Sequence, residues 1–143
     1  MKVRQISIFL ENKPGRLAKA TRILGENGIN IRALSIADTT DFGVLRLIAN
    51  EPEKAYNVLK EAGYIVRATE VIAVEIADEP GGLAASLEPL EKAGINIEYL
   101  YAFVQKASSE ALVVLRVDHI DEAIEVFQQS GIRLLSEKEV NLL

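Results

Sequence analysis

The 143-residue chain has no cysteine and no tryptophan, one methionine at its start and one histidine. Without cysteine there is no disulfide framework, no thiolate metal site and no thiol nucleophile. Basic residues are outnumbered 16 to 21, for a formal net charge of −5. That balance argues against a large cationic surface for nucleic acid. No apolar run approaches the roughly 20 residues that cross a bilayer. Met1-Lys2-Val3-Arg4 leads straight into alternating residues, without the apolar core of a signal peptide. The expectation is a cytoplasmic protein with neither nucleic acid nor membrane as partner. What remains is ordinary globular composition, 49% hydrophobic and 26% charged, too apolar for disorder.

Length suggests one domain, but the chain repeats itself. A shift of 66 positions places Pro14-Gly15 on Pro80-Gly81, Leu17-Ala18 on Leu83-Ala84, and Gly28-Ile29-Asn30-Ile31 on Gly94-Ile95-Asn96-Ile97. Over residues 6–34 this register matches 11 of 29 positions, too many for chance. A two-residue insertion near Gln105–Glu110 then changes the offset to 68, pairing Ala55 with Ala123 and Gly63 with Gly131. The chain is a tandem duplication, read as residues 1–70 and 71–143.

Each copy reads as strand, helix, strand, strand, helix, strand. Ile6, Ile8 and Leu10 alternate with Ser7 and Phe9, as Ile72, Val74 and Ile76 alternate with Ala73 and Glu75. Asn12 and Asp78 are predicted caps, Pro14 and Pro80 suit a first helical turn, and Leu17, Ala20 and Leu24 recur at helical spacing. Gly28 and Gly94 stop these helices. Further strands are predicted over 29–37 and 95–104, hairpins at 38–42 and 105–110, and closing strands over 64–69 and 132–135. The fold class is α+β: two ferredoxin-like βαββαβ modules, each an antiparallel four-stranded sheet with both helices on one face. A module of about 70 residues has a thin core and a bare sheet face, so association is expected.

The strongest local signal is Asn12-Lys13-Pro14-Gly15-Arg16-Leu17, repeated as Asp78-Glu79-Pro80-Gly81-Gly82-Leu83. A helix N-terminus offers unpaired N–H groups and partial positive charge to a carboxylate. Glycine lets a ligand come close to the backbone, and Asn12 or Asp78 could accept from an ammonium group. An amino acid needs that pairing of donors and acceptor, although the same residues also make a good cap with no ligand. Asn30 and Asn96 are unusual in a strand. Either turn geometry explains them, or their amides face a ligand beside the Pro-Gly corner.

Other features read more plainly. His119 has only carboxylates nearby, in Asp118-His119-Ile120-Asp121-Glu122, and the spacing is that of a helix start rather than a metal site. No catalytic triad, His-Glu-x-x-His or phosphate loop is present. Tyr99, Tyr101 and Phe103 alternate on one strand where copy one has Ala33, Ser35 and Ala37, a pattern of packing more than of base stacking. No metal, cofactor or catalytic residue is expected.

With the corner and the Gly-Ile-Asn-Ile strand each present twice, the whole chain resembles a tandem pair of ACT domains. The resemblance implies a non-catalytic regulatory protein that binds an amino acid or related small metabolite between paired modules. It also implies a homodimer and a partner enzyme of amino-acid metabolism. By position it implies ligand contacts at Asn12, Pro14, Gly15, Leu17, Asn30 and Ile31, and at Asp78, Pro80, Gly81, Leu83, Asn96 and Ile97. Gly82 joins this set, because copy one has Arg16 there and the Gly81-Gly82 corner should admit a ligand backbone more readily. Pro89, in the place of Ile23, should kink or shorten its helix. Two rival readings are an interaction subunit with vestigial sites and a small ferredoxin-like enzyme, since fold alone does not decide function.

Overall fold

The computed structural model describes residues 1–38, 42–104 and 110–143. They form two compact units, Arg4–Thr69 and Glu70–Leu143 with Met1–Val3. The first unit contains β1 (Val3–Glu11), α1 (Arg16–Glu26), β2 (Ile31–Asp38), β3 (Phe42–Ala49) and α2 (Pro52–Glu61). It closes with the start of β4 (Val66–Ala77), and its strands lie in the order β2-β3-β1-β4. The rest of β4 opens the second unit, followed by α3 (Gly82–Lys92), β5 (Ile97–Ala102), β6 (Glu110–Val117), α4 (Ile120–Gln129) and β7 (Leu134–Leu135). There β7 and β6 flank β4, and β5 is the far edge. The predicted hairpin tips at 39–41 and 105–109 lie outside the described residues.

Strand alternation builds both cores. Ile6, Ile8 and Leu10 point to the same side as Leu45 and Leu47, and pack against Ala20 and Leu24 of α1 and Ala55 and Leu59 of α2. In the second unit Ile72, Val74 and Ile76 join Val113, Leu115 and Val117 against Leu90, Ala123 and Phe127. Both helices of each unit therefore cover one sheet face, as the ferredoxin-like pattern requires. Tyr99 and Tyr101 lie on the other face, their rings stacked 6.5 Å apart, with Tyr101 buried. The alternation breaks between Ile97 and Tyr99 because the ladder with β6 shifts register there.

Leu17, at helical spacing with the buried Ala20 and Leu24, is 38% exposed, as is Leu83 at the same place in the second unit. One expectation about the helices needs correction. α3 neither stops early nor breaks at Pro89, but continues to Lys92 and matches α1 in length. Proline removes only the bond to Ala85, and the remaining turns are held by packing of Leu90. Finally, the chain adds a short helix, α5 (Glu137–Asn141), that the periodicity did not suggest. Ser136 caps it in a capping box with Glu139, and buried Val140 anchors it.

Candidate functional site

The Pro-Gly corner is a turn before it is a helix. Arg16 donates its backbone N–H to the Lys13 carbonyl at 3.3 Å, with Pro14 and Gly15 between them. Gly15 has φ +84° and ψ −9°, the geometry of the third residue of a type II turn. The second unit repeats it: Gly82 donates to Glu79 at 3.0 Å around Pro80 and Gly81, which has φ +84° and ψ −6°. Pro14 and Pro80 therefore precede the helices rather than entering their first turn. Asn12 and Asp78 are likewise not the capping residues. Gly15 and Gly81 occupy the N-cap and, having no side chain, make no side-chain cap bond to the first helical N–H groups.

α1 and α3 share another feature. Neither carries an acidic residue in its first turn, whereas α2 has Glu53 and α4 has Asp121 and Glu122. The partial positive charge at these two N-termini is thus not answered from within the helix. Space is open beside Gly15 and Gly81, with no atom within 4 Å of a Cβ placed there. Gly82 is different. A Cβ on it would stand 2.0 Å from the Ala77 carbonyl oxygen, so its space is occupied by the strand it follows. The idea that Gly82 is an open position where Arg16 is a closed one is corrected: Gly82 is a close approach of helix to strand.

The Gly-Ile-Asn-Ile stretch ends one element and starts the next. Gly28 (φ +71°) takes the left-handed position after α1, and Ile29 donates back to Leu24 at 3.0 Å. Gly94 and Ile95 do the same with Leu90, and both isoleucines are buried. This is a Schellman stop with its hydrophobic contact. Asn30 then donates its backbone N–H to the side-chain oxygen of Asn50 at 2.9 Å and accepts from the Asn50 N–H at 3.1 Å. Asn96 makes the same pair of bonds with Asp118, at 3.1 and 3.2 Å. Asn50 and Asp118 are positioning residues that the sequence reading missed. The 68-residue offset, which superposes them, was the available signal.

Register separates these two features within a unit. Glu11 pairs with Phe42 and Asp38 with Gly43, whereas Ile31 pairs with Ala49 at the far end. The corner and Asn30 therefore sit at opposite ends of the sheet, about 25 Å apart for an eight-residue strand. Within one unit Asn30 therefore does not lie beside the corner, and Asn96 follows the same topology. A shared feature does lie along the edge strands. Leu34 and Leu100 stand opposite core residues Leu47 and Leu115 on the helix-bearing face, yet are 38% and 39% exposed. With Leu17 and Leu83 they give both units the same half-exposed apolar positions.

His119 occupies the N-cap of α4 without a capping side-chain bond, and its ring is 3.9 Å from the Asp118 carboxylate. Among the described residues no cluster of three or more His, Cys, Asp or Glu could hold a metal, and no helix is long and apolar enough to cross a membrane.

Duplicated βαββαβ units with glycine-capped first helices define the class: a tandem ferredoxin-like protein. The chain belongs to the ACT domain pair family, whose model matches residues 1–143. It is similar over its full length to protein BT0572 from Bacteroides thetaiotaomicron, with 40% identity, TM-score 0.94 and coverage of 98% of that chain. The regulatory subunit of aspartate kinase from Thermus thermophilus, solved ligand-free, shares the fold at 17% identity and TM-score 0.63, over 89% of this chain and 91% of that one. Its counterpart from Thermus flavus does so at 16% identity and TM-score 0.57, over 90% and 92%. No curated protein matches the chain.

Proposed function

We propose that the chain is a non-catalytic regulatory protein whose two modules, residues 1–70 and 71–143, bind an amino acid or related small metabolite. The observation that carries this reading is the repeated corner. Twice, a type II turn delivers a glycine-capped helix N-terminus that has no acidic residue of its own and has open space beside the glycine. Backbone N–H groups there suit a carboxylate, and the adjacent Asn12 or Asp78 suits an ammonium group. Pro14, Pro80, Leu17 and Leu83 form the apolar margin, with Gly82 shaping the second corner.

The register argues that one module holds only half of such a site. Asn30-Ile31 and Asn96-Ile97 would reach a corner where a second module lies antiparallel along the edge strand, which brings opposite ends together. The exposed leucines on those edges favour this homodimer. Ligand held between chains stabilises one packing over another, and a partner enzyme of amino-acid metabolism would read that shift.

A thermal-shift screen against the twenty amino acids, simple 2-oxo acids and aromatic acids tests the reading. A ligand at about 100 times its dissociation constant adds about 2.7 kcal/mol, a rise of several degrees. Loss of the response in Asp78→Ala or Asn96→Ala would assign it to the corner. A flat panel at millimolar concentration sinks the proposal and leaves the interaction-subunit reading.

A further inference from the structure

A cavity lies wholly within the first unit, and none of the residues proposed above to hold the amino acid lines it. It is a slot of about 300 Å³ between the end of β1, the first turns of α1, the start of β3 and the turn from α2 into β4. Its two sides differ in chemistry. Leu10 points into the core beneath the helices, so Phe9 and Glu11 point to the opposite face, and Phe42, paired with Glu11, shares that face. Ile65 lies between Tyr64 and Val66, which pack on the core, and so turns the same way as Phe9. Phe9, Phe42 and Ile65 are 39%, 56% and 66% exposed, an apolar mouth on one side of the sheet end. From α1, on the other side, Arg16 and Lys19 reach the same slot. Arg16 is only loosely held, with its guanidinium 4.0 Å from the Glu11 carboxylate, which Lys13 already engages at 3.1 Å.

The duplication supplies an internal control. The backbone bond from Phe9 N–H to the Ile65 carbonyl recurs as Glu75 to Arg133, at 3.4 and 3.0 Å. Where the first unit has Phe9 and Ile65, the second therefore has Glu75 and Arg133, joined by an ion pair that Glu139 of α5 extends. Phe42 is matched by Glu110, Arg16 by Gly82 and Lys19 by Ala85. One copy fills this place with its own charges. The other sets partly exposed apolar side chains, with the Arg67 guanidinium 6.0 Å over the Phe9 ring, against two cations.

We propose that this slot binds a small carboxylate with an apolar tail. Arg16 and Lys19 take the carboxylate and Phe9, Phe42 and Ile65 take the tail. The volume suits a ligand of about a dozen non-hydrogen atoms, at the small end of ligand pockets. Burying the tail covers an apolar cluster that water otherwise meets, and the cations select for charge. The proposal does not rest on the amino-acid site at the corners.

The test uses the full chain and 3-phenylpropionate as probe, followed by titration calorimetry and by amide shifts in NMR. Millimolar or tighter binding is expected, with shifts at Phe9, Lys19 and Phe42. The uncharged 3-phenylpropan-1-ol and the Arg16→Gln/Lys19→Gln variant should each bind at least about tenfold more weakly, a loss of about 1.4 kcal/mol. The decisive variant is Phe9→Glu/Ile65→Arg, which installs the ion pair of the second unit and so has a precedent for folding. It should abolish binding with an unchanged circular dichroism spectrum. The proposal is overturned if the probe does not bind, if the alcohol binds equally well, or if the swapped variant binds like the parent. Asn96→Ala should leave probe affinity unchanged while altering the amino-acid response, so the two sites fail or succeed separately.

Discussion

Gly15 and Gly82 lie in equivalent turns of the two copies and are glycine for different reasons. At Gly82 a methyl group would meet a backbone carbonyl that no rotamer change can move. Gly82→Ala is therefore expected to cost about 3 kcal/mol or more, read as a lowered urea midpoint. At Gly15 the space is open and the penalty is conformational, so Gly15→Ala should cost about 1–2 kcal/mol for the left-handed backbone. Charge gives a further residue-scale expectation. The Ser136 backbone hydrogen bond, with smaller help from the Ser136 hydroxyl and the Arg133 guanidinium, holds the Glu139 carboxyl below its ordinary value of 4.5. A depressed folded pKa means this contribution is complete above the unfolded value and is lost as pH falls through the folded one. Amides of α5 should therefore lose exchange protection in acid below about pH 4 while core amides keep theirs. Protection unchanged in acid would show that Val140 alone holds the helix.

Among the elements, α3 is the one whose sequence and structure disagree. Proline inside a helix ordinarily costs about 3 kcal/mol, yet α3 continues to Lys92. Burial of Leu90 beyond the proline outweighs the missing bond. Pro89→Ala should restore a donor to the Ala85 carbonyl and raise stability by about 1–3 kcal/mol in chemical denaturation. A lowered stability would mean that the ring makes contacts worth more than the bond. The strand starts show the complementary case. Asn30 and Asn96 stood out by composition, but the bonds run through their backbones to Asn50 and Asp118. Asn50→Ala should fray the start of β2, seen as faster amide exchange at Asn30 and Ile31, with little change elsewhere.

At the scale of the whole molecule, duplication followed by divergence is the organising fact. The two cores keep equivalent positions, since an apolar side chain of similar volume serves at each. Surface positions diverged, most clearly where Phe9, Phe42 and Ile65 of the first copy are matched by Glu75, Glu110 and Arg133 in the second. Equilibrium sedimentation should find a homodimer if the edge leucines pair chains, and Leu34→Glu with Leu100→Glu should shift it toward monomer. A chain that stays monomeric with its amino-acid response intact would remove the shared-site arrangement.

The repeat, the βαββαβ order and the helix stops were legible because each follows from local chemistry. Strand alternation, a glycine after a helix and a proline before a turn need no distant partner to be read. The family followed from those motifs being in order twice. Tertiary structure decided what depends on register and close approach. Only the ladder of β1, β3 and β2 puts a corner and its Gly-Ile-Asn-Ile turn at opposite ends of one sheet, since pairing partners are not encoded in adjacent residues. Only the path of α3 against Ala77 explains Gly82, and only the packed end of β1 gathers two cations and three exposed apolar side chains around one slot.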